Sequence, residues 1–169
     1  MTADVHPAIS TLAPFIGTWV GDGYGEYPTI PAFSYRETVT FGHIGKPFLA
    51  YQQATRTLDD AGTLGLPLHA ETGYWRVPDQ GLAEIVLAHP TGITEVLEGF
   101  AAPNSAGDTD TLIVDVRSAA IAATSSAKEI TRTERTFELT GDTLRYTVRM
   151  AAVGQPLTHH LSATLTRQS

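Results

Sequence analysis

Six histidines, His6, His43, His69, His89, His159 and His160, are the strongest candidate metal ligands in a chain with no cysteine. The lack of cysteine excludes disulfides, thiolate-bound zinc, iron–sulfur clusters, cysteine nucleophiles and covalently attached c-type haem. None of the histidines falls in an H-E-x-x-H or other compact zinc spacing. His159 and His160 are adjacent on an expected strand. Adjacent strand residues point to opposite faces, so the two do not chelate one ion together, and one of them faces inward. An inward histidine is more often a hydrogen-bonded core residue than a ligand, and spacing alone does not reverse that preference.

The other chemistry-bearing residues give weaker signals. No serine lies in a G-x-S-x-G setting. Glu37, Glu71, Glu84, Glu95, Glu98, Glu129 and Glu134 sit on strands beside Thr or Arg and read as solvated faces or cross-strand pairs. Lys128 opens an expected strand, Ala127-Lys128-Glu129-Ile130, where it is either a rim cation or a solvent-facing edge charge. The stretch from Gly17 to Gly25 carries Trp19 among glycines. Without a following Lys-Ser/Thr or a helix it is no phosphate loop. The indole is expected to plug a barrel bottom while the glycines let the strand bend. Tyr27-Pro28-Thr29-Ile30-Pro31 reads as an extended corner that presents the Thr29 hydroxyl.

The elements that must position these residues are nearly all strands. Only Pro7 to Ile16, with Ile9, Leu12, Ala13 and Ile16, has helical spacing, and Pro14 limits it to a turn or two. Period-two alternation is clearest where Leu144, Tyr146, Val148 and Met150 interleave with Arg145, Thr147 and Arg149. Ten strands are expected at 17–25, 34–42, 48–58, 69–77, 82–89, 92–100, 111–117, 127–138, 143–152 and 157–167. Joins such as Pro78-Asp79-Gln80-Gly81 and Thr140-Gly141-Asp142 are too short for parallel crossovers. The fold class that follows is all-β: a ten-stranded antiparallel up-and-down barrel of lipocalin or fatty-acid-binding-protein type with a short N-terminal helix. It hides its edges without covering helices. Residues 1–169 read as a single domain. Ten strands make a lumen wider than side chains readily fill, so the barrel is expected to enclose a ligand.

Composition narrows the partners. Lys+Arg 11 against Asp+Glu 18 gives a net charge of −7, which disfavours nucleic acid and anionic membranes. No apolar run reaches the ~18 residues of a membrane span. The opening residues, Met1 to His6, lack the basic and apolar regions of a signal peptide, so a cytoplasmic address is expected. The sequence is compatible with a homodimer without specifying one.

Taken in order, several segments resemble the nitrobindin family. They are Gly17-Thr18-Trp19-Val20-Gly21-Asp22-Gly23 (the family's G-x-W-x-G-x-G, on Gly17, Trp19, Gly21 and Gly23), Gly25-Glu26-Tyr27-Pro28-Thr29-Ile30 and Phe41-Gly42-His43-Ile44-Gly45-Lys46-Pro47. They continue with Pro67-Leu68-His69-Ala70-Glu71-Thr72-Gly73-Tyr74, Ala88-His89-Pro90-Thr91-Gly92, Ala127-Lys128-Glu129-Ile130 and Gln155-Pro156-Leu157-Thr158-His159-His160-Leu161. The resemblance spans nearly the whole chain. It implies a ten-stranded barrel that binds one haem b without a covalent bond, isomerises peroxynitrite to nitrate in the ferric state and binds nitric oxide in the ferrous state. It also implies His160, the histidine followed by leucine on the last strand, as axial iron ligand and catalytic centre. Thr29 and Lys128 are implied as further haem contacts, and His159 as the outward neighbour. Two other readings keep the barrel: a non-catalytic carrier of an apolar ligand such as a fatty acid or haem, and a nitric oxide sensor or store. An inward imidazole separates the haem readings from a lipid carrier, which would more often grip a carboxylate with Arg and Tyr.

Overall fold

A computed structural model describes residues 4–79, 81–104 and 110–169. Met1, Thr2 and Ala3 of the N-terminal reading and Gln80 of the Pro78–Gly81 join lie outside the described residues. After a 3₁₀ helix (Pro7–Phe15) come ten strands: β1 (Gly17–Tyr27), β2 (Ile30–Gly42), β3 (Leu49–Leu58), β4 (Leu64–Arg76), β5 (Leu82–His89), β6 (Ile93–Asn104), β7 (Thr111–Ala123), β8 (Ile130–Thr140), β9 (Thr143–Ala152) and β10 (Thr158–Arg167). Each pairs antiparallel with its sequence neighbours, and β1 pairs with β10 to close the barrel. Closure removes the unpaired edges that ten strands would otherwise expose. No helix among the described residues is long and apolar enough to cross a membrane.

The expected strands are all present, with three informative differences. β2 and β4 start several residues early, and β7 runs on to Ala123 rather than stopping at Arg117. Pro28 and Thr29 form a tight turn between the paired residues Tyr27 and Ile30, not an extended corner. β8 begins at Ile130, so Lys128 lies in the connection before it instead of opening it.

The lower barrel is an apolar core. The N-terminal helix is 3₁₀, not α, and buries Ile9, Leu12 and Phe15. That spacing of three is the 3₁₀ repeat, which stacks one face of the helix under the barrel. Trp19 is fully buried, and its indole N–H donates to the Phe15 carbonyl at 2.8 Å. Arg167 lies 4.1 Å over the Trp19 ring and donates to the Pro14 carbonyl at 2.7 Å. The end of β10 thereby clamps the helix to the start of β1. Phe15, Phe41, Trp75 and Phe137 continue the core with ring centroids 4.7–5.4 Å apart. Because the strands alternate up and down, the Pro28–Thr29 turn, the 124–129 connection and the β9–β10 turn gather at the opposite, upper end.

Candidate functional site

His160 sits three residues into β10, at that upper end. Across from it, His159 pairs with Arg149 and Leu161 pairs with Val148, so His160 is the extra residue of a β-bulge. The bulge changes the reasoning about the two adjacent histidines. Leu161, Ala163 and Leu165 pack inward, and strict alternation back from Leu161 would turn His160 out. A bulge resets the phase by one residue and re-aims side chains. His159 lies across from exposed Arg149, with its Nδ1 3.3 Å from Glu26 Oε1. The His160 ring is half-buried and meets buried Tyr27 edge-on at 5.3 Å.

The state of the His160 imidazole follows from its contacts. Nδ1 lies 3.1 Å from the Glu26 backbone carbonyl. A carbonyl only accepts, so Nδ1 carries the proton and Nε2 keeps its lone pair. Burial holds the ring below the usual histidine pKa, with the Glu26 hydrogen bond opposing, and the charges of His159 and Arg135 push further down. The ring is therefore neutral at neutral pH.

Thr29 and Lys128 are both exposed at the same end as His160, one in the β1–β2 turn and the other in the 124–129 connection. The Val153 N–H donates to the Glu129 carbonyl at 3.0 Å, joining that connection to the turn leading into His160. In the motif stretch, Trp19, Gly21, Gly23 and Gly25 share the inward phase of β1. A Cβ at Gly23 would stand 2.2 Å from the Tyr35 ring, and one at Gly25 2.2 Å from Phe33. The glycines thus let two aromatic rings approach β1, the strand paired with the one that carries His160.

The upper lumen also holds a polar network that the sequence reading missed. Glu84 and Glu134 behave as expected, pairing across strands with Arg76 and Arg149. Glu37, Glu71 and Glu95 do not: all three are buried. Arg135 reaches Glu71 with two bonds of 2.9 and 3.1 Å and Glu95 with one of 2.8 Å. Tyr51 donates to Glu71 at 2.8 Å, and Thr133 donates to Glu95. His89 Nε2 stands 2.8 Å from Glu95 Oε1, and His89 Nδ1 stands 3.2 Å from His69 Nε2. Burial alone would raise both acids. Arg135 outweighs it, holding Glu71 below the usual carboxylate range and Glu95 at about 2. At Glu37 the charge of Arg135 also opposes burial but does not outweigh it. Burial pushes it up to about 7, although Tyr146 donates to it at 2.6 Å. His69 is held below its usual range by burial. The signal for this network was strand phase. Glu37 shares a face with Val39 and Phe41, Glu71 with Trp75, Glu95 with Ile93 and Leu97, and Arg135 with Phe137.

A separate groove of about 400 Å³ lies on the outer wall, lined by Asp22, Tyr24, Thr136, Arg145 and Thr164 among others. No histidine lines it.

Comparison with known proteins identifies the family. A family profile described as "THAP4-like, heme-binding beta-barrel domain" matches residues 8–167. The chain is 51% identical over 169 residues to "Peroxynitrite isomerase 2" of Mycobacterium ulcerans, covering 100% of both chains. It is 51% identical over 163 residues to "Peroxynitrite isomerase" of Nocardia farcinica, covering 96% of this chain and 92% of that one. Among solved structures, Rv2717c from M. tuberculosis superposes with a TM-score of 0.90 at 46% identity, over 98% of this chain and 100% of that one. With its closed ten-strand barrel, its inward motif face and a match over nearly its full length, the chain belongs to the THAP4-like haem-binding β-barrel family, the nitrobindins.

Proposed function

We propose that this chain is a haem b protein that isomerises peroxynitrite to nitrate in its ferric state, with His160 as axial ligand of one non-covalently held haem. The observation that carries this reading is the hydrogen bond from His160 Nδ1 to the Glu26 carbonyl. Ligating histidines characteristically donate their second ring N–H to such a partner, which fixes tautomer and ring orientation. Lowered basicity supports it too, since the neutral imidazole is the form that ligates a metal.

Each residue has a definite task. His160 binds and orients through Nε2, while Glu26 keeps the proton on Nδ1. Lys128 would offset the charge of a propionate at the rim, and Thr29 would donate a hydrogen bond there. The barrel wall excludes bulk water from the reacting anion. When bound, haem would supply an iron centre that acts on the oxidant. Peroxynitrite and nitrate have the same atoms and charge, so the reaction consumes no external reductant. The same site would take nitric oxide in the ferrous state. A net charge of −7 argues against nucleic acid as a partner.

A fatty-acid carrier needs an unengaged Arg or Tyr to hold a carboxylate. Arg135, Tyr51 and Tyr146 line the lumen but already bind Glu71, Glu95 and Glu37. The carrier reading therefore has no obvious grip left to use. The test is reconstitution with ferric haem followed by stopped-flow mixing with peroxynitrite. Holo-protein should show a Soret band, accelerate decay and raise the nitrate yield, whereas apo-protein should not. Equal decay with and without haem would contradict the enzymatic reading.

A further inference from the structure

We propose that His69, His89 and Glu71 form a binding site for a divalent first-row transition-metal ion inside the barrel, distinct from the His160 haem-ligand position. One donor atom from each of the three residues lies within 4.8 Å of the other two. His89 Nδ1 is 3.2 Å from His69 Nε2 and 3.4 Å from Glu71 Oε2. Metal–donor bonds of about 2.0–2.1 Å set tetrahedral donors about 3.3–3.4 Å apart. Two edges of a coordination polyhedron are thus close to their final lengths.

Proton positions point the same way. His89 Nε2 faces the Glu95 carboxylate at 2.8 Å. With Nε2 donating to that carboxylate, Nδ1 is left to offer its lone pair to an ion. That lone pair is aimed at a ring nitrogen and at a carboxylate oxygen. A cation between the three donors satisfies them together. The backing of His89 by Glu95 is the carboxylate–histidine–metal arrangement that orients metal ligands. Arg135 and Tyr51 orient Glu71 in the same way.

Charge completes the argument. Glu71 and Glu95 are buried anions, and Arg135 is the cation that both bind. The two carboxylates share this single guanidinium. Buried charge without compensation is costly. A divalent ion adds positive charge there and accepts both imidazoles, a ligand set that suits zinc, iron or cobalt. Three protein donors leave a fourth position open toward the lumen, where a small anion or water would bind.

The experiment uses the full chain without an affinity tag, haem-loaded and haem-free, titrated with Zn²⁺ in a calorimeter. One Zn²⁺ per chain is expected in both forms, with a raised melting temperature. His89→Ala or His69→Gln should weaken binding at least 100-fold, Glu95→Gln about 10–100-fold, and His160→Ala should leave it intact. Circular dichroism confirms that the variants are folded, and His69→Gln serves if His89→Ala is not. Absence of saturable one-per-chain binding would overturn the proposal. Binding that survives both histidine substitutions would overturn it equally. A failed haem reading shows separately, as a missing Soret band.

Discussion

Glu37→Gln isolates the pH dependence of one buried acid. In the native chain Glu37 is 1% exposed and holds its proton up to about pH 7, against an ordinary value of 4.5. Below about pH 4.5 both folded and unfolded chains carry the proton, and the residue adds no pH dependence. Between 4.5 and about 7 the unfolded chain ionises while the native one does not, so the native state binds more protons. Stability then falls as pH rises. A rise from 4.5 to about 7, at about 1.4 kcal/mol per pH unit, amounts to about 3 kcal/mol lost by neutral pH. Glutamine keeps an acceptor for the Tyr146 hydroxyl and offers an N–H to Gln53 Oε1, which is buried without a hydrogen-bond partner. The other buried groups act differently. Glu95, held at about 2, contributes stability that is lost as pH falls toward that value, and His69 and His160, held low, cost stability on acidification. These effects are common to both proteins and cancel in the difference. Urea unfolding followed by Trp fluorescence should show the variant gaining about 3 kcal/mol on wild type between about pH 4.5 and pH 8. A difference that stays constant across that range would refute the reasoning.

Other substitutions probe separate links. Arg135→Met strands Glu71 and Glu95 without their cation and should cost about 3–5 kcal/mol at neutral pH, less in acid as the carboxylates protonate; a cost under about 1 kcal/mol in urea unfolding would mean the network is solvated. Gly21→Ala would place a Cβ 2.0 Å from the Thr164 carbonyl oxygen in the β1–β10 ladder, so a loss of about 1–3 kcal/mol is expected. Gly42→Ala, which meets nothing within 4 Å, should stay within about 0.5 kcal/mol; similar melting points for the two would contradict the packing assigned to β1. Val153 is a β-branched residue at φ 46 in the β9–β10 turn, and Val153→Asn should raise stability by about 1 kcal/mol without moving the haem spectrum.

Strand identity was legible because alternation such as Leu144, Tyr146 and Val148 against Arg145 and Thr147 repeats along the chain, and short joins force antiparallel neighbours. The plug of the barrel was legible from Trp19, although the helix beneath it packs every third residue rather than along an α face. The buried network was harder to see. Glu37, Glu71, Glu95 and Arg135 come from four strands and meet only when the barrel closes. Each sits among polar residues that point outward, so only its phase relative to Val39, Trp75, Leu97 or Phe137 betrays it. The His160 bulge left no mark in the sequence. Alternation alone would have aimed Leu161 and His160 at opposite faces, and the one-residue insertion opposite Val148 and Arg149 decides their directions instead. Thr29 stood out from its flanking prolines and Lys128 from its place before β8, but their haem-contact roles came only from the family resemblance, since exposed turn residues carry no periodic signal.

The most direct test of the central claim compares the ferric absorption spectra of wild type, His159→Ala and His160→Ala after addition of one equivalent of haem. Removing His160 takes away the proposed protein bond to iron, so its Soret band should collapse toward that of free haem and nitrate formation from peroxynitrite should fall to the apo level. His159, partly exposed and 3.3 Å from a solvated carboxylate, should be replaceable with its spectrum and activity intact. An unchanged Soret band and full activity in His160→Ala would place the axial ligand elsewhere in the barrel and contradict the account.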